Sequence, residues 1–479
     1  MTTAIPAAHA PRNVRWILLG VMLAMLLGML DNMIVGTAMP TIVGQLGGLN
    51  HLSWVVSAYT LATAASTPIW AKLGDLFGRK PNFLTSIVIF LIGSGLSGAA
   101  QSMDQLIGFR VLQGIGAGGL AAGAFAIIGE LIPPRERAKY MGMTASVMAL
   151  ATIGGPLVGG FVTDHFGWRW AFYLNLPLGL IALAWCQVML HLNARRPNAK
   201  IDYLGAALLT VTISAIVLVT TWGGTQYAWG SPQVLITIAV AVLGLPAFLW
   251  SQQRAPEPII PLGLFRNRNF VLTSVLSVIV GAAMFGAVSF LPLFQQKVQG
   301  ASASNSGLLL LPMMVPIIVV SQIAGRIMSK TGRYKLFPIL GGLCLTAGSI
   351  ALATMGNDTS RLEAGIYMVV FGAGLGFLMQ MTVLIAQNSV EMKDIGAASG
   401  VSTLFRTLGG SFGVALFGAL FNHQAHAGIA AGIDSIFTWS SILCAIALVA
   451  SLFIVEVPLR QGPPAAPKEP AKEPVAQPS

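Results

Sequence analysis

Long apolar runs, broken at short intervals by small polar or basic clusters, organise this chain. Stretches of about 18 to 25 apolar residues recur from end to end, each long enough to cross a hydrocarbon layer about 30 Å thick as an α-helix. They are solidly apolar, unlike the two-residue alternation of an outer-membrane barrel. In lipid only helices and closed barrels satisfy their own backbone, so helices follow. Fourteen spans are expected, starting near Trp16, Leu52, Asn82, Leu106, Tyr140, Trp170, Tyr203, Gln233, Phe270, Ser306, Leu336, Leu362, Ala397 and Ile436. The first run is long and carries Asp31. It lacks a short core followed by a small-residue cleavage site, so it is expected to remain as helix one rather than leave as a signal peptide.

Composition agrees with an all-α integral membrane protein: 55% of residues are hydrophobic and only 9% charged, too few to wrap 479 residues in water. The connections add an orientation. With an even number of spans, 22 Lys and Arg residues fall on the side of both termini, and only Arg169, Lys297 and Arg361 on the other. Both termini are therefore expected in the cytoplasm, with the chain in a bacterial inner (plasma) membrane. The net charge of +11 follows from that bias. Because the cations are spread over many loops, no nucleic-acid partner is expected. Cys186, Cys344 and Cys444 lie far apart in helices and suit packing. His423 and His426 have the spacing of a metal pair but lack a third ligand, so they read as loop histidines, and no metal or cofactor is expected. The segment from Gly462, rich in Pro, Ala, Lys and Glu, reads as a disordered tail.

An internal echo sets the domain plan. Ala71-Lys-Leu-Gly-Asp75-Leu-Phe-Gly78-Arg79-Lys80 follows helix two, and Gly325-Arg-Ile-Met-Ser329-Lys-Thr-Gly332-Arg333-Tyr334 follows helix ten, 254 residues later. Eight helices separate the copies, so the loops face the same side and the repeats are parallel. The plan is an N-terminal segment (1–15), a six-helix bundle (16–192), two inserted helices with linkers (193–269), a second six-helix bundle (270–458) and a tail (459–479).

These residues resemble the major facilitator superfamily and, within it, the fourteen-helix drug/proton antiporters. The loop Gly74 to Lys80 is similar to the signature between helices two and three, with Ala71 where a glycine is usual. Arg110 to Gly119 resembles the helix-four signature. Gly142, Gly155, Pro156, Gly159 and Gly160 are spaced like the antiporter signature of helix five, with Ala151 replacing one glycine. Leu30-Asp31-Asn32 through Ile42, and Trp168 through Pro177, resemble the fourteen-helix branch. The resemblance implies a major facilitator fold and proton-driven efflux of drugs.

The chemistry must be carried by charges placed in hydrocarbon, which are costly and rare. Helical rise puts Asp31 and Arg110 at a shared depth of about 6 Å below the outer edge. An acid near a fixed cation releases its proton more readily and burial opposes release, so a small rearrangement switches its charge. Proton coupling is the expected role, although a static pair stapling helices one and four would need the same residues. Gln113, one turn from Arg110, is expected to meet substrate or partner. Arg406 is the third intramembrane charge. It either faces a cavity or pairs with polar groups of helix twelve such as Gln380, Gln387 or Asn388. Asp75, Gly78, Arg79, Lys80 and Glu130 are expected to gate the cytoplasmic side, and Ser329 in place of the acid implies a weaker second copy. The helix-five glycines are expected to permit close, bendable packing between the halves.

The expected function is a proton-coupled multidrug exporter of lipophilic or weakly cationic compounds, acting as a monomer among membrane lipids. A dedicated exporter of one metabolite or siderophore is the rival, and a membrane sensor reusing the fold is a third reading. No phosphate loop or pair of catalytic carboxylates points to an enzyme.

Overall fold

The computed structural model describes residues 14–47, 52–192, 200–223, 226–301, 308–424 and 428–458. The expected tail and His426 lie outside them. Fourteen long helical spans run through the described residues: α1 (Val14–Leu46), α2 (Leu52–Phe77), α3 (Arg79–Gly98), α4 (Met103–Leu131), α5 (Pro134–Phe166), α6 (Arg169–Met189, in two pieces meeting at Leu174), α7 (Tyr203–Trp222), α8 (Pro232–Arg254), α9 (Arg268–Lys297), α10 (Leu311–Thr331), α11 (Leu336–Ala353), α12 (Arg361–Asn388), α13 (Ile395–Gln424) and α14 (Ile429–Leu452). Thirteen are long and apolar enough to cross a membrane. The exception is α2, whose Ser, Thr, Lys and Asp residues lower its hydropathy because it lines the molecule's interior instead of facing lipid.

Packing repeats with a period of eight helices. In the first half α4 packs on α2 and α3, and α1 on α5 and α6; in the second, α12 packs on α10 and α11, and α9 on α13 and α14. Each contact maps onto its counterpart by adding eight, as the sequence echo requires. The echo's turns match as well: Gly78 (φ 102°) and Gly332 (φ 71°) both take positive φ, which a side chain would strain. The halves are joined chiefly by α2 with α13 and α5 with α10, with lighter contacts of α4 on α13 and α5 on α12, and each pair exchanges with its counterpart under the same operation. The inserted pair stands to one side, with α7 against both α2 and α13 and α8 against α7.

Glycine makes the tightest of these contacts possible. A Cβ at Gly116 of α4 would lie 2.4 Å from the Phe90 backbone nitrogen, and one at Gly114 would lie 2.5 Å from the Tyr59 carbonyl oxygen. Backbones in contact maximise dispersion where lipid supplies no hydrophobic drive between helices. Outward, α8 shows Ile236, Val242 and Leu243 well exposed, as a lipid-facing surface requires.

Gly116→Val should therefore destabilise the protein by about 1–3 kcal/mol through overpacking. Gly108→Ala on the same helix, with nothing within 4 Å of the added carbon, should leave stability unchanged or slightly raised. Thermal unfolding of both variants in nanodiscs checks the pair.

Candidate functional site

Three polar features lie within the bundle: a buried ion pair, a cavity between the halves, and a closure at the basic end. The hydrogen-bonded centre of the first comes from α1, α4 and α6, with support from α2 and α3. Asp31 and Arg110 are both fully buried and paired through Arg110 Nη1 and Asp31 Oδ2. The other carboxylate oxygen accepts from Gln113 Nε2 and Asn175 Nδ2, each at 2.8 Å. Asn175 is held in turn by Ser94 Oγ at 2.9 Å, whose hydroxyl donates to the Phe172 carbonyl. Arg110 Nη1 also donates to Gln113 Oε1 at 2.9 Å, and its guanidinium stacks on the Tyr59 ring at 4.0 Å. Among the described residues only Arg110 Nη2 of this cluster is left without a partner. Two charges out of water are tolerable only when the remaining polar atoms are engaged, and three donors on one carboxylate do so.

Gln113 thus belongs to the ion pair. Of the two contacts expected for it, substrate or partner, the partner contact is present: its amide bonds Asp31 and Arg110, and it does not line the cavity. Asn175 and Tyr59 were missed in the sequence. Asn175 had a signal, since it sits in the Trp168 to Pro177 stretch that resembles the fourteen-helix branch.

The cavity has a volume of about 220 Å³ and draws its wall from both halves. Its floor includes Met25, Met29, Phe125, Met284, Phe285 and Met314. Six threonines also line it, 60, 63, 67, 152, 403 and 407, and every one donates its hydroxyl to the carbonyl four residues earlier in its own helix. Arg406 reaches the wall from α13, and no Asp or Glu does so among the described residues. Tyr59 lines the cavity and its ring also carries the Arg110 guanidinium, while its hydroxyl donates to the Gly28 carbonyl at 2.7 Å. One aromatic ring therefore touches both ion pair and cavity. Gln380 is outside this lining: it accepts from Thr144 at 3.0 Å, linking α12 to α5.

At the basic end the halves meet. Arg79, 3% exposed, donates Nη2 to Asp75 Oδ1 at 3.1 Å, pairs with Glu130 at 3.1 Å and donates to the Ala126 carbonyl. The other oxygen of Asp75 accepts from the Ala397 backbone NH of α13 at 2.9 Å, a contact from the first half to the N-terminus of a second-half helix. Gly396 makes room for it, since a Cβ there would lie 2.3 Å from Asp75 Oδ1. Lys80 points away, donating to the Gln187 carbonyl of α6 at 2.8 Å. On the opposite crossing a residue the sequence did not single out does the joining. Arg137, 1% exposed on α5, donates to Gln387 of α12 at 3.1 Å and to the Gly129 and Ile132 carbonyls ending α4. Ser329, the counterpart of the acid, donates to Arg326 within its own helix.

The helix-five signature divides. A Cβ on Gly142 would lie 3.1 Å from the Ser321 carbonyl of α10, so this glycine does sit between halves. Gly155 instead packs on Met33 of α1, and Gly160 has nothing within 4 Å. Among the described residues of the signature, Gly142 is the one whose neighbours lie in the other half. Gly159 is buried, and the side chain of Pro156 lies outside the described residues.

A family profile of the Major Facilitator Superfamily matches residues 21–414. The chain belongs to this superfamily. It is 41% identical over 388 residues to an uncharacterised transporter of the Major Facilitator Superfamily from Mycobacterium tuberculosis, covering 81% of this chain and 56% of that protein. The chain thus spans little more than half the length of that relative. It is 38% identical over 406 residues to the multidrug transporter protein MdtP of Bacillus subtilis (85% of this chain, 75% of MdtP) and 35% identical over 408 residues to multidrug resistance protein 3 of the same organism (85% and 80%). Two solved superfamily structures share the fold: the human organic anion transporter MFSD10 (TM-score 0.66, 14% identity, 91% of this chain and 99% of that one) and the proton:xylose symporter XylE (0.64, 16%, 91% and 95%). This is a multi-pass membrane protein of the superfamily.

Within this superfamily member the buried pair should behave as one unit. Arg110→Ala, which strands a buried carboxylate, should cost about 3–5 kcal/mol. Arg110→Gln combined with Asp31→Asn should cost clearly less than the sum of the two single changes. Thermal unfolding in nanodiscs through the double-mutant cycle measures the coupling.

Proposed function

We propose that the chain is a proton-coupled efflux antiporter that carries lipophilic compounds across a bacterial inner membrane by alternating access, as a monomer with both termini in the cytoplasm. The observation that carries this reading is the single ring that touches both the Asp31–Arg110 pair and the cavity. A proton arriving on Asp31 cancels the charge that holds the Arg110 guanidinium. Arg110 leans on Tyr59, so its release changes the wall that cargo touches. Proton and cargo then act on one element, which is what coupling requires.

The closure at the basic end supplies the alternation. Asp75 bonded to α13 and Arg137 bonded to Gln387 tie the halves together at the cytoplasmic ends, and in this reading the state is the one closed to the cytoplasm. Opening inward must break both crossings, and the cost is offset by bonds re-formed on the opposite side as the halves rock. Asp75, Arg79 and Glu130 form the charged latch, Gly78 shapes its turn, and Lys80 fixes that turn to α6. Breadth of cargo is supported by the two Bacillus subtilis relatives whose names describe multidrug transport.

Proteoliposomes under an imposed pH gradient, screened against several lipophilic dyes, test the reading. Wild type should accumulate dye in proportion to the gradient, and Asp31→Asn should lose that dependence while remaining folded; undiminished gradient-driven uptake by Asp31→Asn would remove the proposal. Arg79→Ala should slow turnover about tenfold or more with dye affinity unchanged, because a lost latch costs on the order of 1.4 kcal/mol in the closed state alone. A pure loss of affinity would instead put Arg79 outside the latch.

A further inference from the structure

Arg406 is a permanent cation, 9% exposed, in the wall of the central cavity. Among the described residues its guanidinium makes neither an ion pair nor a hydrogen bond, and its one charge-related contact is the face of Phe125 at 5.7 Å. The other intramembrane arginine of the core is cancelled by Asp31. The cavity region therefore carries one uncompensated positive charge, in surroundings where leaving it unpaired is costly.

Resting on the exporter reading, we propose that this cavity takes amphipathic monoanions, an apolar body bearing a carboxylate or sulfonate, with the acid group seated on Arg406. The guanidinium offers a planar fork of donors that matches such a group. The six lining threonines have already committed their hydroxyl protons to their own helices, so Arg406 is the wall's strong unused donor. Methionine and phenylalanine side chains provide an adaptable bed for the apolar body.

The charge is also held in place. A Cβ on Gly281 of α9 would lie 2.0 Å from the Arg406 carbonyl oxygen, and one on Gly409 would lie 2.1 Å from that of Val278. Helices α9 and α13 thus touch backbone to backbone at this residue, and its Cα has no freedom to retreat from the cavity. A cationic cargo meets repulsion there with no carboxylate to offset it.

The test uses one body with three charges: 4-(1-naphthyl)butyrate, its primary amide and the corresponding primary ammonium, binding to the full chain in nanodiscs against empty nanodiscs. The carboxylate should bind about tenfold or more tightly than the ammonium, as a charge-assisted pair in a dry site implies. Arg406→Gln should erase that preference while leaving the amide within about twofold, and Arg406→Lys should retain part of it. Equal affinities across the series, a preference for the ammonium, or a carboxylate preference untouched by Arg406→Gln would overturn the proposal. If Arg406→Gln does not fold, the wild-type series decides alone. Binding needs no gradient, so a chain that fails in proteoliposomes yet prefers the carboxylate defeats the exporter reading and not this one; gradient-driven export with no charge preference does the reverse.

Discussion

Two opposite charges sealed away from water, Asp31 and Arg110, are the constraint around which the first half is arranged. Such a pair is a poor source of stability, because desolvation consumes most of the Coulomb gain. It does specify geometry. Each oxygen needs donors at fixed positions, which fixes α1 against α4 and α6 through Gln113 and Asn175. The glycines of α4 then bring α2 and α3 within backbone contact of that same helix, and Tyr59 touches both charge and cavity. The buried charge and the close-packed scaffold are built from the same helix.

The two halves divide the labour unequally. Packing in the second half follows the first helix for helix, yet the glycine contacts that match Gly114 and Gly116 with Gly372 and Gly374 put Met368 where the first half has Arg110, and among the described residues of that half the one buried charge is Arg406. The crossings differ likewise. One is held by a carboxylate against a helix N-terminus, the other by an arginine plugging the carbonyl end of α4 and reaching Gln387. Both arrangements complement a helix dipole, from opposite signs. Duplication supplied the frame, and each copy then kept a different charge.

Much of this was legible in the sequence because membrane folding leaves few choices. Apolar run length set the helices, an eightfold offset set the repeat, and charges in hydrocarbon marked Asp31, Arg110 and Arg406 before any coordinates. Even α2, too polar to pass as a span on hydropathy alone, is bounded by recognisable turns. What the sequence did not yield is rotation about each helix axis. Gln113 and Gln380 look like cavity residues by depth, but their faces turn inward to Asp31 and across to Thr144. Arg137 was hidden for another reason: it stands in a basic loop-to-helix junction where a cation is ordinarily an orientation signal, and only three-dimensional packing reveals it as buried.

The back-bonded threonines carry a consequence for discrimination. A transporter rejects near-misses most sharply when an ill-matched molecule strands hydrogen-bonding groups of the wall. Here the threonine protons are already committed to the helices themselves, so that part of the lining presents methyls where hydroxyls are written in the sequence. A molecule with no partner for those hydroxyls forfeits nothing against them. Tolerance of unfamiliar skeletons is thus a property of the backbone's own bonding, and narrowing it would take residues whose polar atoms the helix cannot claim.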